Sequence, residues 1–372
     1  MISARDPGAT LNLIEIIGYL SKCNDIQMKI IAARPGYDYL LKSGIPVEQC
    51  PVDAVRDADD PQSDQLLKWA AKKIDEFIPD VVLTGVSGPD AGIDEALLKA
   101  AKSSSIPACA LQDFWGDVNS TFGQPADVYF VFDSQAAELT SVKVHSEAII
   151  SGLPKYVTYK NINPFFIRDK VRKKYDIAPE KTIVAFLGQP LHDHEDYYET
   201  IKAFSTALQN TLSDAVCIYR PHPKEQNVPL TARLFKDNGI DIEFFEQDER
   251  VEHLLSTTDI VFTIFSNCAL DFLYLNRYAP FPLGNVVFLF FNKKIQQLYT
   301  KFTGLEFLPR LYNRLSIIVD KVEMLKEAIG DACEKRKKYE LWWYSKETLP
   351  DPGYSINIIY QKILTYLKNG EK

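Results

Sequence analysis

The chain has 372 residues, 46% hydrophobic and 25% charged, the balance of a soluble globular protein with room for two cores of roughly 150–200 residues each. A formal net charge of −8 argues against sequence-independent nucleic-acid binding, which needs a basic surface. Six scattered cysteines make no CxxC pair and no zinc spacing, no signal peptide opens the chain, and no apolar run approaches the ~18 residues of a membrane span, so the expected compartment is cytoplasmic.

The first half alternates strand and helix. Met1-Ile2-Ser3-Ala4 reads as a short strand, clipped at its start, followed by Arg5-Asp6-Pro7-Gly8 and a helical pattern at Leu11, Ile14, Ile17 and Leu20. Gly8 at that helix start leaves backbone N–H groups for an anion, although an ordinary βα turn fits equally well. Strands are expected over 28–33, 81–83, 106–111, 127–132 and 148–152, with helices over 65–77 and from Pro89 to about Ser103. The loop Gln112-Asp113-Phe114-Trp115-Gly116-Asp117 places a carboxylate beside two large aromatics directly after a core strand. Partial desolvation there would raise the pKa of Asp113 towards use as a general base; the alternative is a turn-capping Asp113 and a packed Trp115.

Ser151-Gly152-Leu153-Pro154-Lys155 closes this half, and the basic helix at 165–175 reads as a solvated face. A second series opens with the strand 182–187, then Gly188-Gln189-Pro190 and a helix to about Leu212. His192 and His194 lack a third ligand, so no metal is expected. The strand Ala215–Ile218 runs into Tyr219-Arg220-Pro221-His222-Pro223-Lys224-Glu225, where two prolines hold His222 in a stiff non-helical loop at a strand end. Further strands are expected over 240–245 and 259–265, separated by the loop 246–248 and a helix from Val251. The last of these strands leads into a helix that starts near Ser266-Asn267, with Asp271 one turn inside. Ser266 is an N-cap by default, and the same geometry offers a hydroxyl and free N–H groups to phosphate oxygens. The 220–225 and 266–267 loops are expected at neighbouring strand ends, forming one site.

Strands alternating with helices mean parallel sheets, hence an α/β chain of two Rossmann-like domains. With "SGLPK", "FLGQP", "RPHPKE" and "TIFSNCALDFLYLN" in this order, the chain resembles GT-B-fold glycosyltransferases, whose two parallel sheets face each other across a cleft. Within that superfamily it is similar to bacterial polysaccharide-biosynthesis enzymes of the UDP-N-acetylglucosamine 2-epimerase, CMP-sugar transferase and CDP-glycerol polymerase types. The resemblance implies an acceptor domain over 1–160, a nucleotide-sugar donor domain over 161–345, and a terminal helix within 346–372 that crosses back to the first. It carries a donor-binding role onto His222-Pro223 and Ser266-Asn267; Arg220, Gly188, Gln189 and Asp271 are further donor-site candidates beside them. Where those families often have two adjacent hydroxyl residues this chain has Ser-Asn.

The implied activity is a metal-independent transfer of sugar from a UDP- or CMP-linked donor to a glycan or lipid-linked acceptor in surface polysaccharide biosynthesis, with no other cofactor. His222 would contact the donor phosphate, and Asp113 or Asp6 would serve as base. A nucleotide-sugar 2-epimerase, using Asp6, Asp113 and Asp117, and a non-catalytic nucleotide-binding protein are the alternatives. Peripheral contact with the inner face of the plasma membrane, and the oligomeric state, are left open by the sequence.

Overall fold

The computed structural model describes residues 1–88, 90–244 and 250–369, with residues 368 and 369 in backbone only. The chain divides into two compact units, Met1–Val157 with Pro350–Lys372, and Thr158–Leu349. Each is built on one parallel sheet.

The first sheet contains β1 (Ile2–Ala4), β2 (Ile30–Ala32), β3 (Glu48–Gln49), β4 (Val82–Thr84), β5 (Ala108–Leu111), β6 (Val128–Val131) and β7 (Glu147–Ile150). Its order is β3-β2-β1-β4-β5-β6-β7, parallel throughout. The second contains β8 (Ile183–Leu187), β9 (Val216–Arg220), β10 (Ile242–Phe244), β11 (Ile260–Thr263), β12 (Asn285–Leu289) and β13 (Ile317–Val319), in the order β10-β9-β8-β11-β12-β13. Both are doubly wound Rossmann orders, whose direction reverses between β1 and β4 and between β8 and β11. The central strands β1, β2, β4, β5, β6, β8, β11 and β12 are buried along their whole length, as short apolar runs covered by helices on both faces should be.

Several boundaries differ from expectation. The helix assigned to begin at Pro89, a residue outside the described set, starts at Ile93. There Glu95 accepts the Gly92 N–H at 2.8 Å, half of a capping box. Of the expected strand 240–245, Ile242–Phe244 is β10; Phe245 and the loop 246–248 lie outside the described residues. The run at 286–291, too short to span a membrane, is the buried β12. The basic helix Pro164–Lys174 is not simply a solvated face. Arg168 donates to the carbonyls of Ser256, Thr258 and Leu283, and Arg172 to those of Ala178 and Lys181 and to Asp259 Oδ2, so both cations hold the underside of the second sheet. Trp342 donates to the Ala279 carbonyl at 3.2 Å and is a packing anchor; Trp343 is exposed. No helix among the described residues is long and apolar enough to cross a membrane.

The terminal helix Ser355–Asn369 packs into the first unit's core through Ile359 and Ile363. Tyr360 meets Tyr19 edge-on at 5.2 Å, and Lys362 pairs with Glu147 at 2.6 Å. Because Ile359 is fully buried, Ile359→Ala should cost the first unit about 2–5 kcal/mol. Hydrogen exchange should show this as earlier loss of amide protection in residues 1–157, with protection in the second unit unchanged.

Candidate functional site

In the second unit the loops leaving β8, β9 and β11 lie at the carboxyl edge beside the reversal of strand order, where doubly wound sheets hold ligands. The sequence expectation that the 220–225 and 266–267 loops leave neighbouring strands is corrected, because β8 runs between β9 and β11. Two strand spacings, about 10 Å, separate those two ends. Strand order across a sheet is set by tertiary winding, which chain order alone does not reveal.

The loop of β8 bridges the gap. Gly188 donates its N–H to the Arg220 carbonyl at 2.9 Å. On the other side, Thr263 Oγ1 donates to the Leu187 carbonyl at 3.3 Å and accepts the Ser266 N–H at 3.2 Å. Gly188 is required here, since a Cβ would come within 2.3 Å of Glu225 Oε2 and 3.2 Å of the His222 nitrogen.

Glu225 organises this edge. Its carboxylate, 8% exposed, accepts from Tyr197 Oη (3.1 Å) and Thr231 Oγ1 (3.2 Å) through Oε1, and from the His222 N–H (3.2 Å) through Oε2. Tyr197 Oη in turn accepts the Gln189 N–H at 3.1 Å. The Glu225 N–H closes a turn onto the His222 carbonyl at 2.8 Å. The Lys224 N–H donates to His222 Nδ1 at 3.1 Å, which leaves Nε2 as the protonated nitrogen of the neutral ring. Burial, helped by Lys224, lowers the imidazole pKa to about 4. At neutral pH His222 is therefore an uncharged hydrogen-bond donor; the motif's cations are Arg220, half-buried at the end of β9, and the exposed Lys224.

Ser266 and Asn267 precede the helix Cys268–Tyr278. Ser266 Oγ accepts the Cys268 N–H at 3.3 Å, the local capping role, and its hydroxyl proton can still be donated. Asp271 lies one turn inside that helix. It is buried, and its Oδ1 accepts the Tyr159 hydroxyl at 2.7 Å. Gln189 is likewise buried, its side-chain amide donating to the Gly188 carbonyl.

The first unit gathers a different chemistry at the reversal between β1 and β4. Asp6 Oδ1 lies 3.0 Å from Arg5 Nε, and its Oδ2 accepts the Gly88 N–H at 3.0 Å. Asp113 Oδ2 lies over Gly8, only 1.7 Å from where a Cβ would stand, so the chain's own carboxylate covers the helix start that the sequence offered to an anion. Trp115 is packed and donates to Asp133 at 2.9 Å. Asp117 is half-buried and takes no side-chain hydrogen bond among the described residues. Desolvation, then the Asp113 and Asp6 carboxylates, push it up to about 8.

Two buried acids that the sequence reading missed stand behind it. Glu95 accepts the Ser87 and Gly92 N–H groups and is pushed to about 8 by burial and by Asp94. Asp94, raised by burial, accepts from Ser3 and Ser87 hydroxyls at 2.5 and 3.1 Å. The signal available for the pair was "GIDE", an acidic first turn after a glycine. For Glu225 it was the carboxylate three residues after His222, the reach of a turn closed by its own side chain. No group of three or more His, Cys, Asp or Glu residues among those described is set to hold a metal ion.

Residues 138–278 match the model of glycosyltransferase family 52, less than half of the chain but including the β8, β9 and β11 loops. No curated protein sequence matches. Among solved structures the chain is similar to the UDP-GlcNAc 2-epimerase of Neisseria meningitidis bound to UDP-GlcNAc, at 14% identity and a TM-score of 0.66, covering 98% of this chain and 99% of that one. A glycosyltransferase from Rickettsia africae aligns at 13% identity and a TM-score of 0.62, over 99% and 97% of the two chains. MurG of Acinetobacter baumannii aligns at 14% identity and a TM-score of 0.56, over 97% and 99%. Two doubly wound parallel sheets and whole-length likeness to these structures give this chain a GT-B fold, and its residues 138–278 are similar to glycosyltransferase family 52.

Proposed function

We propose that the protein transfers a sugar from a UDP- or CMP-linked donor to a glycan or lipid-linked acceptor in surface polysaccharide biosynthesis, working in the cytoplasm or at the inner face of the plasma membrane. The observation that carries the reading is the joining of the 188–189, 220–225 and 263–267 loops along one sheet edge, inside the stretch that matches a glycosyltransferase family. Arg220 supplies a positive charge, His222 Nε2–H a neutral donor, and the Ser266 hydroxyl and the start of helix 268–278 further donors. Donors fixed before reaction stabilise the charge that grows on a departing nucleotide. In this reading they act without a metal.

The acceptor hydroxyl needs a base, and the first unit's carboxyl cluster is the source we assign. Asp113 and Asp6 were the sequence candidates, but Asp113 is seated on Gly8 and Asp6 is engaged by Arg5 and Gly88. Asp117 meets the requirement better. A carboxyl with a pKa near 8 is a strong base once ionised, and it takes no side-chain hydrogen bond from its described neighbours. The same cluster keeps a nucleotide-sugar 2-epimerase as the second reading, since that reaction also moves protons on the sugar. Incubation with UDP-N-acetylglucosamine and no acceptor separates the two, because only an epimerase turns over.

Three outcomes test the proposal. In a thermal-shift panel of UDP, CMP, CDP, GDP and ADP, UDP or CMP at a hundredfold excess over Kd should add about 2.7 kcal/mol of stability. His222→Ala should weaken that nucleotide about tenfold, the loss of one hydrogen bond to a charged oxygen. Asp117→Asn should lower kcat by roughly 100-fold or more and abolish a rise in kcat between about pH 6 and 8. In that window Asp117 loses its proton, so the active form grows as the pH rises. A folded Asp117→Asn protein with wild-type turnover and pH profile would return the role to Asp113 or Asp6.

A further inference from the structure

Glu225 is a buried ionisable group that the transfer chemistry does not itself use. Its carboxylate joins four elements of the second unit. The His222 N–H reaches it from the β9 loop, Tyr197 from helix Glu195–Thr211 and Thr231 from helix Val228–Asp237. Through Tyr197 it also holds the Gln189 N–H of the β8 loop. Gly188 leaves the space that the carboxylate oxygen occupies. The turn His222–Glu225 is closed in both directions, by the Glu225 N–H on the His222 carbonyl and by the Glu225 carboxylate on the His222 N–H. That closure brings the Lys224 N–H to 3.1 Å from His222 Nδ1.

We propose that Glu225 is the positioning residue of the donor site: it locks the β8 and β9 loops together and, through the closed turn, fixes His222 as the tautomer that offers Nε2–H to a phosphate oxygen. This rests on the donor-site reading above. A carboxylate beside a nucleotide-phosphate site is otherwise costly, because its charge opposes the ligand, so a role in fixing donors accounts for its presence. Three strong acceptor contacts on one rigid group do what neutral side chains of the same size would do less firmly.

The test uses Glu225→Ala, Glu225→Gln and Thr231→Val in the full chain, with UDP and CMP as the binding probes. Imidazole 1H–15N spectra report the His222 tautomer independently of any ligand. In the wild type, His222 should show a single Nε2–H tautomer. Glu225→Ala should give a mixture of tautomers and weaken UDP or CMP at least tenfold. Glu225→Gln, which keeps one acceptor oxygen, should recover part of both. Thr231→Val removes the hydroxyl contact that helix Val228–Asp237 makes with Glu225 and leaves the His222 N–H and Tyr197 contacts in place, so it should lower Tm and leave the tautomer and the nucleotide affinity within twofold of wild type.

An unchanged tautomer and affinity in Glu225→Ala overturns the proposal, as does a Thr231→Val variant that loses affinity in proportion to its Tm. If Glu225→Ala does not fold, Tyr197→Phe takes its place with the same readouts. It cuts the link from Glu225 to Gln189 while keeping the ring, and wild-type affinity in that variant overturns the locking role. If no nucleotide binds the wild type, the donor-site reading fails, while the tautomer spectra still decide whether Glu225 fixes His222.

Discussion

The second unit depends on one buried carboxylate. A carboxyl group with 8% of its surface exposed is disfavoured unless hydrogen bonds replace the water it loses. Glu225 meets that condition with two hydroxyls and one backbone N–H, and each of those donors belongs to a different element. The requirement runs in both directions. The carboxylate cannot be buried unless the loop after β9 and the helices 195–211 and 228–237 hold their places, and those elements are fixed in turn by reaching it. Gly188 follows from the same constraint, because a side chain at that position would displace the carboxylate oxygen.

The first unit uses carboxyls in the opposite way. Asp6, Asp94, Glu95, Asp113 and Asp117 interact with one another and with Arg5 and Lys143, so negative groups outnumber positive ones among the described residues. Burial first, and then this mutual repulsion, pushes Glu95 and Asp117 to about 8, although Glu95 also accepts two backbone N–H groups. Glu225 is held by donors. Asp117, with no side-chain hydrogen bond from its described neighbours, is held by a proton it can give up. Rigidity suits a group that aims others, and an exchangeable proton suits a group that handles one.

What the sequence revealed divides along a physical line. Runs such as Ile183–Leu187 and Ile260–Thr263 were readable as strands because covering both faces of a parallel sheet leaves continuous apolar segments. The helix start at Ile93 was misplaced because Pro89 is a strong local signal, whereas the observed start depends on Glu95 reaching back to Gly92. The strand β12 was not among the strands expected from the sequence, since an apolar run carries no mark of which sheet it joins. His222 was conspicuous through its prolines, and Glu225 three residues later was not, because its importance lies in Tyr197 and Thr231, distant in the chain or on another helix. Arg168 and Arg172 were misread for the same reason: their acceptors are backbone carbonyls, which no residue type announces.

The two Rossmann halves also show why a strand–glycine–helix opening does not by itself make an anion site. Both units have a helix that starts beside the reversal of strand order, one at Pro7 and one at Cys268. In the first, Asp113 already lies over Gly8, so the partial positive charge of that helix start is answered from within the chain, and a phosphate would meet a like charge. In the second, the helix that leaves β11, on the other side of the reversal, has the neutral Ser266 hydroxyl at its start, and Asp271 accepts the Tyr159 hydroxyl. A helix start can attract an anion only where the protein has not supplied one of its own. That difference, more than any glycine pattern, distinguishes the two helix starts as places for an anion.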